Sequence, residues 1–174
     1  MKSIETNFRK INVKNLNDNF FKVIDDEWML ITAGDTNAFN MMTASWGTTG
    51  ILWNIPVAIC FIRPHRFTFE FAEKSDIYTL SFFDRSYRKV LNLCGSKSGR
   101  DTNKVKETGL LPVITEKGGI AYDQARMVIE CEKLYADYLK EDNFIIPEIA
   151  RKNYRTKDFH RFYIGGILNC YIRL

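Results

Sequence analysis

Hydrophobic and polar residues alternate with a period of two in several segments of this chain, which is the pattern of β-strands that bury one face. In residues 125–139 the alternation places Met127, Ile129 and Cys131 on one face. Residues 55–63 are apolar on both faces, which predicts a central strand buried on both sides. About six or seven strands are predicted, at residues 28–34, 38–47, 55–63, 76–83, 114–122, 125–139 and 159–174.

Glycines mark the places where these strands turn or change course. Residues 114–122 predict a hairpin whose turn is the Lys-Gly-Gly sequence beginning at Lys117. Within residues 159–174, Gly165 and Gly166 interrupt the strand pattern. They predict either a bulge or the close approach of another backbone segment.

Helical patterns occur between the strands, and all of them are short. In the second helix Thr68 is a candidate N-cap, and in the third Asp84 is the candidate cap while Gly95 closes the helix. Helices are predicted at residues 13–28, 67–75 and 84–95, with further short helices inside 96–109 and 142–158.

This order of elements predicts the fold class. Strands do not alternate strictly with long helices, so a doubly wound parallel fold is disfavoured and an antiparallel barrel with helical insertions is favoured. Hydrophobic residues make up 45% of the 174 residues and charged residues 26%, the composition of a folded globular protein. We expect one domain spanning residues 1–174.

Charge and composition exclude several classes of function. The net charge is only +4, and the 25 lysines and arginines are scattered, so we expect no nucleic-acid partner. The longest apolar run, residues 55–62, is too short to span a bilayer, and the N-terminus lacks the apolar core of a signal peptide. We therefore expect no membrane partner and a cytoplasmic protein with reduced thiols.

The usual enzyme motifs are absent from the sequence. It contains no phosphate-binding P-loop, no dinucleotide fingerprint and no serine-hydrolase elbow. The four cysteines form no CxxC pair, and His65 and His160 lie far apart, so we expect no metal site. If the protein is an enzyme, an organic cofactor supplies its reactive chemistry.

The segment from Asn40 to Trp46 is the first candidate for a binding site. As a strand it would place the hydroxyls of Thr43 and Ser45 on one face, together with Phe39 and Met41. Hydroxyls and backbone N–H groups at a strand end could bind the edge of a polar heterocycle or a phosphate. The alternative is a strand that runs into a turn, with both hydroxyls bonded to neighbouring backbone. The opposite face would carry Asn40, Met42, Ala44 and Trp46.

Residues 63–68 are the second candidate. Arg63 and Arg66 offer forked donors just before a predicted helix start, a combination that suits a phosphate. The alternative is a solvated turn with surface arginines. His65 stands beside a proline and is more typical of a surface or packing residue than of a catalyst.

Residues 94–101 are the third candidate. They contain two glycines, two serines, Lys97 and Arg100, and could form a backbone nest for an anion. The alternative is a helix C-cap followed by a mobile loop. Cys94 could supply a thiol there, but the sequence shows no base that would activate it.

Taken together, the three candidates resemble a known family. The sequences FNMMTASWG (39–47), PVAICFIRPHRFTFEF (56–71) and YTLSFFDRSYRKVLNLCGSKSGRD (78–101) resemble, in order and spacing, the flavin reductase-like FMN-binding split-barrel proteins. The similarity is greatest to the flavoredoxin-type branch, and it extends from about residue 25 to about residue 172.

The resemblance implies a fold and a function. The fold would be a six-stranded antiparallel Greek-key split barrel that forms a homodimer and binds FMN noncovalently near the dimer interface. The function would be that of an NAD(P)H-dependent flavin reductase, which passes electrons through FMN between a small-molecule donor and acceptor. The donor, NADH or NADPH, and the acceptor stay open. The alternatives are a flavoredoxin-like electron carrier without pyridine-nucleotide activity, and a binding barrel without flavin.

The resemblance also implies which residues line the flavin. Thr43, Ala44 and Ser45 would bond its polar edge, residues 63–68 would approach the phosphate and ring, and residues 94–98 would close the site. Which segment holds the phosphate stays open, and no residue is assigned a catalytic role. In residues 46–50, two threonines stand where the family has smaller residues, so substrate access is in question. The implied FMN contacts are Asn40, Met41, Met42, Thr43, Ala44, Ser45, Arg63, His65, Arg66, Thr68, Cys94, Gly95 and Ser98.

Overall fold

The structure, a computed structural model, describes all 174 residues and confirms a mainly β fold with helical insertions. None of its helices is both long and apolar enough to cross a membrane. The strands are β1 (Lys2–Ser3), β2 (Phe8–Ile11), β3 (Met29–Gly34), β4 (Phe39–Ala44), β5 (Gly47–Leu52), β6 (Ile55–Ile62), β7 (Ile77–Phe82), β8 (Pro112–Ile114), β9 (Ile120–Tyr122), β10 (Met127–Tyr138) and β11 (Arg161–Arg173). The helices are α1 (Phe20–Lys22), α2 (Phe67–Lys74), α3 (Arg88–Ser96), α4 (Lys104–Thr108) and α5 (Pro147–Asn153).

The main sheet is an open, antiparallel barrel-like sheet. Its strands follow the order β4-β3-β7-β10-β11-β6-β5, and β2 pairs with β11 beside this path. Because β4 and β5 are the two ends of the path, the sheet is split between them. The split-barrel class is confirmed, although the main sheet has eight strands where the resemblance implied six.

The predicted hairpin at residues 114–122 forms, but it belongs to a separate small sheet with the order β1-β8-β9. The side chain of Glu130 on β10 attaches this hairpin to the main sheet. Its carboxyl group accepts hydrogen bonds from the backbone N–H of Lys117 (3.1 Å) and from the Asn169 side chain (2.7 Å). Further donors to it are Thr115, Gly119 and Tyr171. The buried carboxyl is thereby satisfied without a cation.

The predicted two faces of β4 are present. Met42 and Ala44 belong to the larger core cluster inside the barrel, whereas Met41 belongs to a second cluster on the other face of the sheet. Period-two alternation has this result because successive side chains of a strand point to opposite faces. Thus β4 is buried on both faces. Its C-terminal end, near residue 45, lies at the gap between β4 and β5.

Strand β5 was not predicted, because residues 48–54 show no clear alternation of apolar and polar residues. It pairs with β6 over Gly47–Leu52. The turn between the two strands is formed by Trp53 and Asn54, whose φ angles of 51° and 61° match a two-residue hairpin turn.

The prediction that residues 55–63 are buried on both faces was wrong. Cys60 and Ile62 face the core, whereas Ile59 and Phe61 on the opposite face are only half-buried. That outer face is covered by single aromatic contacts, such as Phe61 with Phe162 (centroids 6.2 Å apart), and not by a second layer.

The predicted N-terminal helix is shorter than expected. It begins at Phe20, because the Asn19 side chain caps the free N–H of Phe21, and it continues as a wide π-helical turn over Val23–Glu27. Residues 13–15 form a separate 3₁₀ turn.

Two of the three predicted helix caps were wrong. Arg66, and not Thr68, occupies the N-cap of α2 and makes no side-chain capping bond. The α3 helix continues one residue past Gly95, to Ser96. Asp84 does occupy the N-cap of the 3₁₀ turn that leads into α3, but its side chain makes no capping bond. Thr68 and Gly95 are instead required for contacts with β4, described below.

Gly165 and Gly166 allow a close approach and do not themselves form the bulge. Both glycines stay paired with β10 and β6, and the register shifts on either side of them. A Cβ at Gly165 would lie 2.7 Å from Cζ of Tyr78 and 2.8 Å from Cβ of Cys131. Tyr78 is buried there and donates to the carbonyl of Ala58 (3.1 Å), so it has no room to move.

We predict that Gly165→Ala lowers the free energy of unfolding by about 1–3 kcal/mol, the usual effect of overpacking a buried site. Gly50→Ala is the matched control, since a Cβ at Gly50 meets nothing within 4 Å and the residue also lies in a strand. Urea unfolding of the two variants measures the difference. Equal stabilities would contradict the close packing of Tyr78 against β11.

Candidate functional site

The candidate site is a row of cavities between the end of β4 and the helices α1, α2 and α3. The α2 cavity, of about 100 Å³, lies between the start of α2 and residues 96–99. The α3 cavity, of about 300 Å³, lies between β4 and α3. Both are lined by Ser96, so they are neighbours. A third one, the α1 cavity, of about 410 Å³, adjoins the α3 cavity at Ser45.

The α2 cavity is strongly basic. Arg66, Lys97 and Lys104 line it, together with His65, and no acidic side chain does. Arg66 is half-buried, and its guanidinium makes no hydrogen bond or ion pair with the protein. Burial, and then the nearby charge of Arg63, lower the pKa of Arg66. An unpartnered guanidinium in such a place is suited to an anion.

Lys104 is the least expected member of this cavity, because its side chain is nearly buried (5% exposed). Its ammonium donates to the carbonyls of Met41 (2.8 Å) and Cys94 (2.9 Å), and so it connects β4 with α3. Burial lowers the pKa of Lys104 to about 8. Two of its three N–H donors are used in this way, which leaves one for a ligand.

Asn40 closes the wall of the α2 cavity. It is buried and donates to the Thr68 hydroxyl (2.8 Å), which fixes the end of β4 against the first turn of α2. Gly99 packs on the other side of Asn40, where a Cβ would come within 2.9 Å of the Asn40 Cγ atom. Glycine at position 99 therefore lets the backbone after α3 approach β4 and line the cavity.

The α3 cavity has a mixed lining of hydroxyls and apolar surface. The Thr43 hydroxyl donates to the carbonyl of Leu91 on α3 (2.5 Å), so it keeps only its acceptor capacity for a ligand. Gly95 packs closely against Thr43, since a Cβ added at Gly95 would lie only 3.3 Å from the Thr43 Cβ atom. Trp28, Ser45 and Asn92 complete the walls.

Most of the sequence-predicted residues therefore meet along this row. In the α2 cavity the structure brings together Asn40, Met42, His65, Arg66, Thr68 and Ser98. The α3 cavity receives Thr43, Ser45 and Gly95. Ala44 and Cys94 lie in the hydrophobic core, and Met41 is buried beside a wider cleft of about 690 Å³.

Arg63 lies apart from the row. Its guanidinium pairs with Asp158 (2.5 Å) and donates to the carbonyl of Asn153 (2.9 Å), and it stacks over the ring of Tyr154. Arg63 thus attaches α5 and the segment after it to the end of β6. Arg63 and Arg66 look equivalent in the sequence. They differ in the structure because Asp158, far along the chain, pairs with Arg63 only.

Cys94 carries no reactive thiol. Burial raises the pKa of Cys94 to about 11, against a weaker opposing effect of Lys104, so the thiol stays protonated at neutral pH. No group of three or more His, Cys, Asp or Glu side chains is arranged to hold a metal ion.

Among the lining residues that sequence reasoning missed are Lys104, Trp28 and Phe67. Lys104 lies in the first turn of the short polar helix α4, where a lysine is usually solvent-exposed. The neighbouring sequence does not indicate that it is buried. Trp28 lies at the end of the predicted N-terminal helix, and only its positive φ of 70° turns the chain into β3.

Comparison with known sequences identifies the family. The sequence profile described as the flavin reductase like domain matches residues 24–173. The chain belongs to the flavin reductase-like family. Among curated proteins, none matches the sequence of this flavin reductase-like chain significantly.

Solved structures share the fold of this flavin reductase-like chain at low sequence identity. An FMN-binding protein of Thermus thermophilus with bound 1-cyclohex-2-enone has a TM-score of 0.67 and 18% identity, over 93% of this chain and 79% of that one. The flavoredoxin of Desulfovibrio vulgaris (Miyazaki F) has a TM-score of 0.65 and 19% identity, over 84% and 69%. The NADH:FAD oxidoreductase of Streptomyces globisporus C-1027 has a TM-score of 0.65 and 13% identity, over 85% and 75%.

The two arginines provide a test of the α2 cavity as an anion site. We predict that inorganic phosphate raises the Tm of the wild type and of Arg63→Gln, but raises that of Arg66→Gln much less. The reason is that only Arg66 directs an unpaired guanidinium at the cavity. Thermal unfolding with increasing phosphate, at constant ionic strength, measures the three responses. A response lost in Arg63→Gln and kept in Arg66→Gln would contradict this placement.

Proposed function

We propose that this protein is an FMN-binding oxidoreductase, and that it works as an NAD(P)H-dependent flavin reductase. The observation that carries the proposal is the α2 cavity, where Arg66, Lys97 and Lys104 surround a small space without an acidic residue. It suits the phosphate of a flavin mononucleotide. The adjoining α3 cavity, with hydroxyls on apolar walls, suits the flat polar ring system.

The residues present fit FMN in this orientation. Arg66 and the remaining donor of Lys104 would bind the phosphate, helped by the Ser98 hydroxyl and the backbone around Gly99. At the edge of the ring Thr43 would accept a hydrogen bond, and Ser45 would accept or donate one. Arg63 is left out of this set, because its guanidinium is held by Asp158.

Bound FMN would supply the hydride and electron chemistry, and the protein would bind, orient and shield it. Asn40, Thr68 and Lys104 would keep the walls fixed through their mutual and backbone hydrogen bonds. Met42 and Leu91 would keep water away from the buried side of the cavities. The family and the FMN-binding and NADH:FAD oxidoreductase neighbours support this assignment.

A second candidate function is electron transfer without pyridine-nucleotide activity. It is favoured by the flavoredoxins among the structural neighbours, which share the fold to the same degree as the NADH:FAD oxidoreductase. Both functions need the same flavin site. They differ only in whether a nicotinamide can reach the flavin.

We also propose that residues 1–174 act as one domain and form a homodimer. Several large apolar side chains are exposed on neighbouring strands and on the β5–β6 turn, which is typical of an interaction surface. These are Ile51, Trp53, Ile55, Leu134 and Leu168. We assign the protein to the cytoplasm as part of the same proposal, because its four cysteines are all unpaired.

The visible spectrum of the purified protein tests the flavin assignment. We expect a yellow protein, or one that turns yellow and quenches FMN fluorescence after incubation with FMN. Anaerobic addition of NADH or NADPH should then bleach the flavin band. Bleaching by neither nucleotide would favour the electron carrier, and failure to bind FMN would reject both functions.

The buried lysine predicts how FMN affinity depends on pH. Lys104 is charged below its pKa of about 8 in the FMN-free protein, and bound phosphate would raise that pKa. Affinity should therefore be highest below about pH 8 and fall by up to about tenfold per pH unit above it, until the pKa of the complex is reached. Lys104→Met should bind FMN at least about tenfold more weakly at pH 7, because a charged hydrogen bond is lost.

The control for this experiment is Lys106→Met, which changes an exposed lysine on the same helix outside the α2 cavity. It should keep both the affinity and the pH dependence of the wild type. Fluorescence titrations with FMN from pH 7 to 10 would measure all three proteins. A similar alkaline decline in Lys104→Met would show that another group is responsible.

A further inference from the structure

The loop between α3 and α4, residues 97–103, forms one side of the α2 cavity. Its first three residues, Lys97, Ser98 and Gly99, line the cavity. The rest of the lining comes from β4, from the start of α2 and from the neighbouring ends of α3 and α4. The shape of the α2 cavity therefore depends on where this loop lies.

The same loop separates the α2 cavity from the wider cleft of about 690 Å³. The two spaces share four lining residues, which are Asn40, Phe67, Gly99 and Lys104. Residues 100–103 line the cleft but not the α2 cavity. A movement of the loop away from α2 would thus join the two spaces and open the basic cavity into the cleft.

One side chain, that of Arg100, ties this loop to α2. Its guanidinium donates to the carbonyl of His65 (3.2 Å) and pairs with the carboxylate of Glu70. It also lies over the ring of Phe67, 4.8 Å from the ring centroid. A planar guanidinium can make such forked and stacked contacts together, which a lysine cannot. Arg100 therefore holds the loop against the start of α2 in three ways.

The other hydrogen bonds of the loop are local. The backbone N–H groups of Asp101 and Thr102, for example, both donate to the carbonyl of Ser98. Apart from the bonds of Arg100, no hydrogen bond joins the loop to a part of the chain outside α3, α4 and the loop itself. Without the Arg100 contacts, only packing around Gly99 would keep the loop on the cavity.

We propose that Arg100 is a positioning residue that latches the loop over the α2 cavity, and that the opening of this latch controls how fast the phosphate end of FMN leaves. This inference rests on the proposed FMN site, to which it adds a residue outside the cavity lining. The side chains of Arg100 and Glu70 are both nearly half exposed, so their ion pair is weak enough to open and close. Such a latch changes the rate of release and does not decide whether FMN binds.

Thiol labelling tests the latch in the FMN-free protein. All four native cysteines are buried, so Ser98→Cys introduces the one reactive thiol, on the cavity side of the loop. Iodoacetamide, which is neutral, reports how often this position becomes accessible. We expect adding Arg100→Gln to Ser98→Cys to raise the labelling rate by about three- to tenfold, because the loop opens more often.

Stopped-flow kinetics test the effect on the flavin, with Ser98 intact and an excess of apoflavodoxin to trap the released FMN. Arg100→Gln should release FMN about three- to tenfold faster, with little change in the association rate. Arg100→Lys retains the charge but not the forked, stacking group, so its release rate should lie between those of Arg100→Gln and the wild type. Adding Glu70→Gln to Arg100→Gln should cause little further change, because the two residues act as a pair.

Arg151→Gln is the matched control. Arg151 is also an exposed arginine that pairs with a glutamate, Glu148, but it lies on α5 and lines none of the cavities of the row. This variant should retain the labelling rate and the release rate of the wild type. Urea unfolding of the FMN-free proteins should show nearly equal stabilities for Arg100→Gln and Arg151→Gln, since both change exposed ion pairs.

Equal labelling and release rates in Arg100→Gln and the wild type would overturn the inference. So would a faster release that also occurs in Arg151→Gln, or one that accompanies a general loss of stability, since Arg100 would then have only a structural role. A wild type that binds FMN and releases it no more slowly than Arg100→Gln contradicts this inference alone. A wild type that does not bind FMN contradicts the proposed function, and the labelling rates then still decide whether Arg100 holds the loop.

Discussion

One buried ammonium group determines the shape of the candidate site. Lys104 donates to a carbonyl of β4 and to a carbonyl at the end of α3, and so holds the strand and the helix at a fixed separation. Its desolvation is costly, as the lowered pKa of about 8 shows, and the two carbonyls only partly offset it. An anion beside Lys104 and Arg66, as the proposed FMN phosphate would be, would offset part of this cost.

The row of cavities has a direction, because its electrostatic character changes along its length. Cations without acids surround the α2 cavity, hydroxyls and apolar surface line the α3 cavity, and aromatic rings with one carboxylate line the α1 cavity. A molecule with an anionic end and a flat polar end can lie in the first two in one orientation only. The chemistry of the lining, more than the volume, therefore determines the orientation of the proposed flavin.

The sequence predicts the parts of this protein that depend on local pattern. Alternation in β4 correctly separated Met41 from Met42, and three short segments located most of the lining residues. It could not distinguish Arg66 from Arg63, because the partner of Arg63 is Asp158, far along the chain. It also missed β5 and Lys104, whose positions depend on pairing with β6 and on carbonyls of β4 and α3. Such long-range contacts leave no periodic signal at the residues themselves.

The burial of the cysteines has a consequence for the proposed function, in which the protein would handle reduced flavin. Free reduced flavin reacts with oxygen and gives hydrogen peroxide, which attacks thiolates and spares protonated thiols. All four cysteines are buried, and burial raises the pKa of Cys94 to about 11 and the pKa values of Cys60 and Cys170 to about 12. The chain therefore presents no thiolate to an oxidant formed at the proposed flavin site.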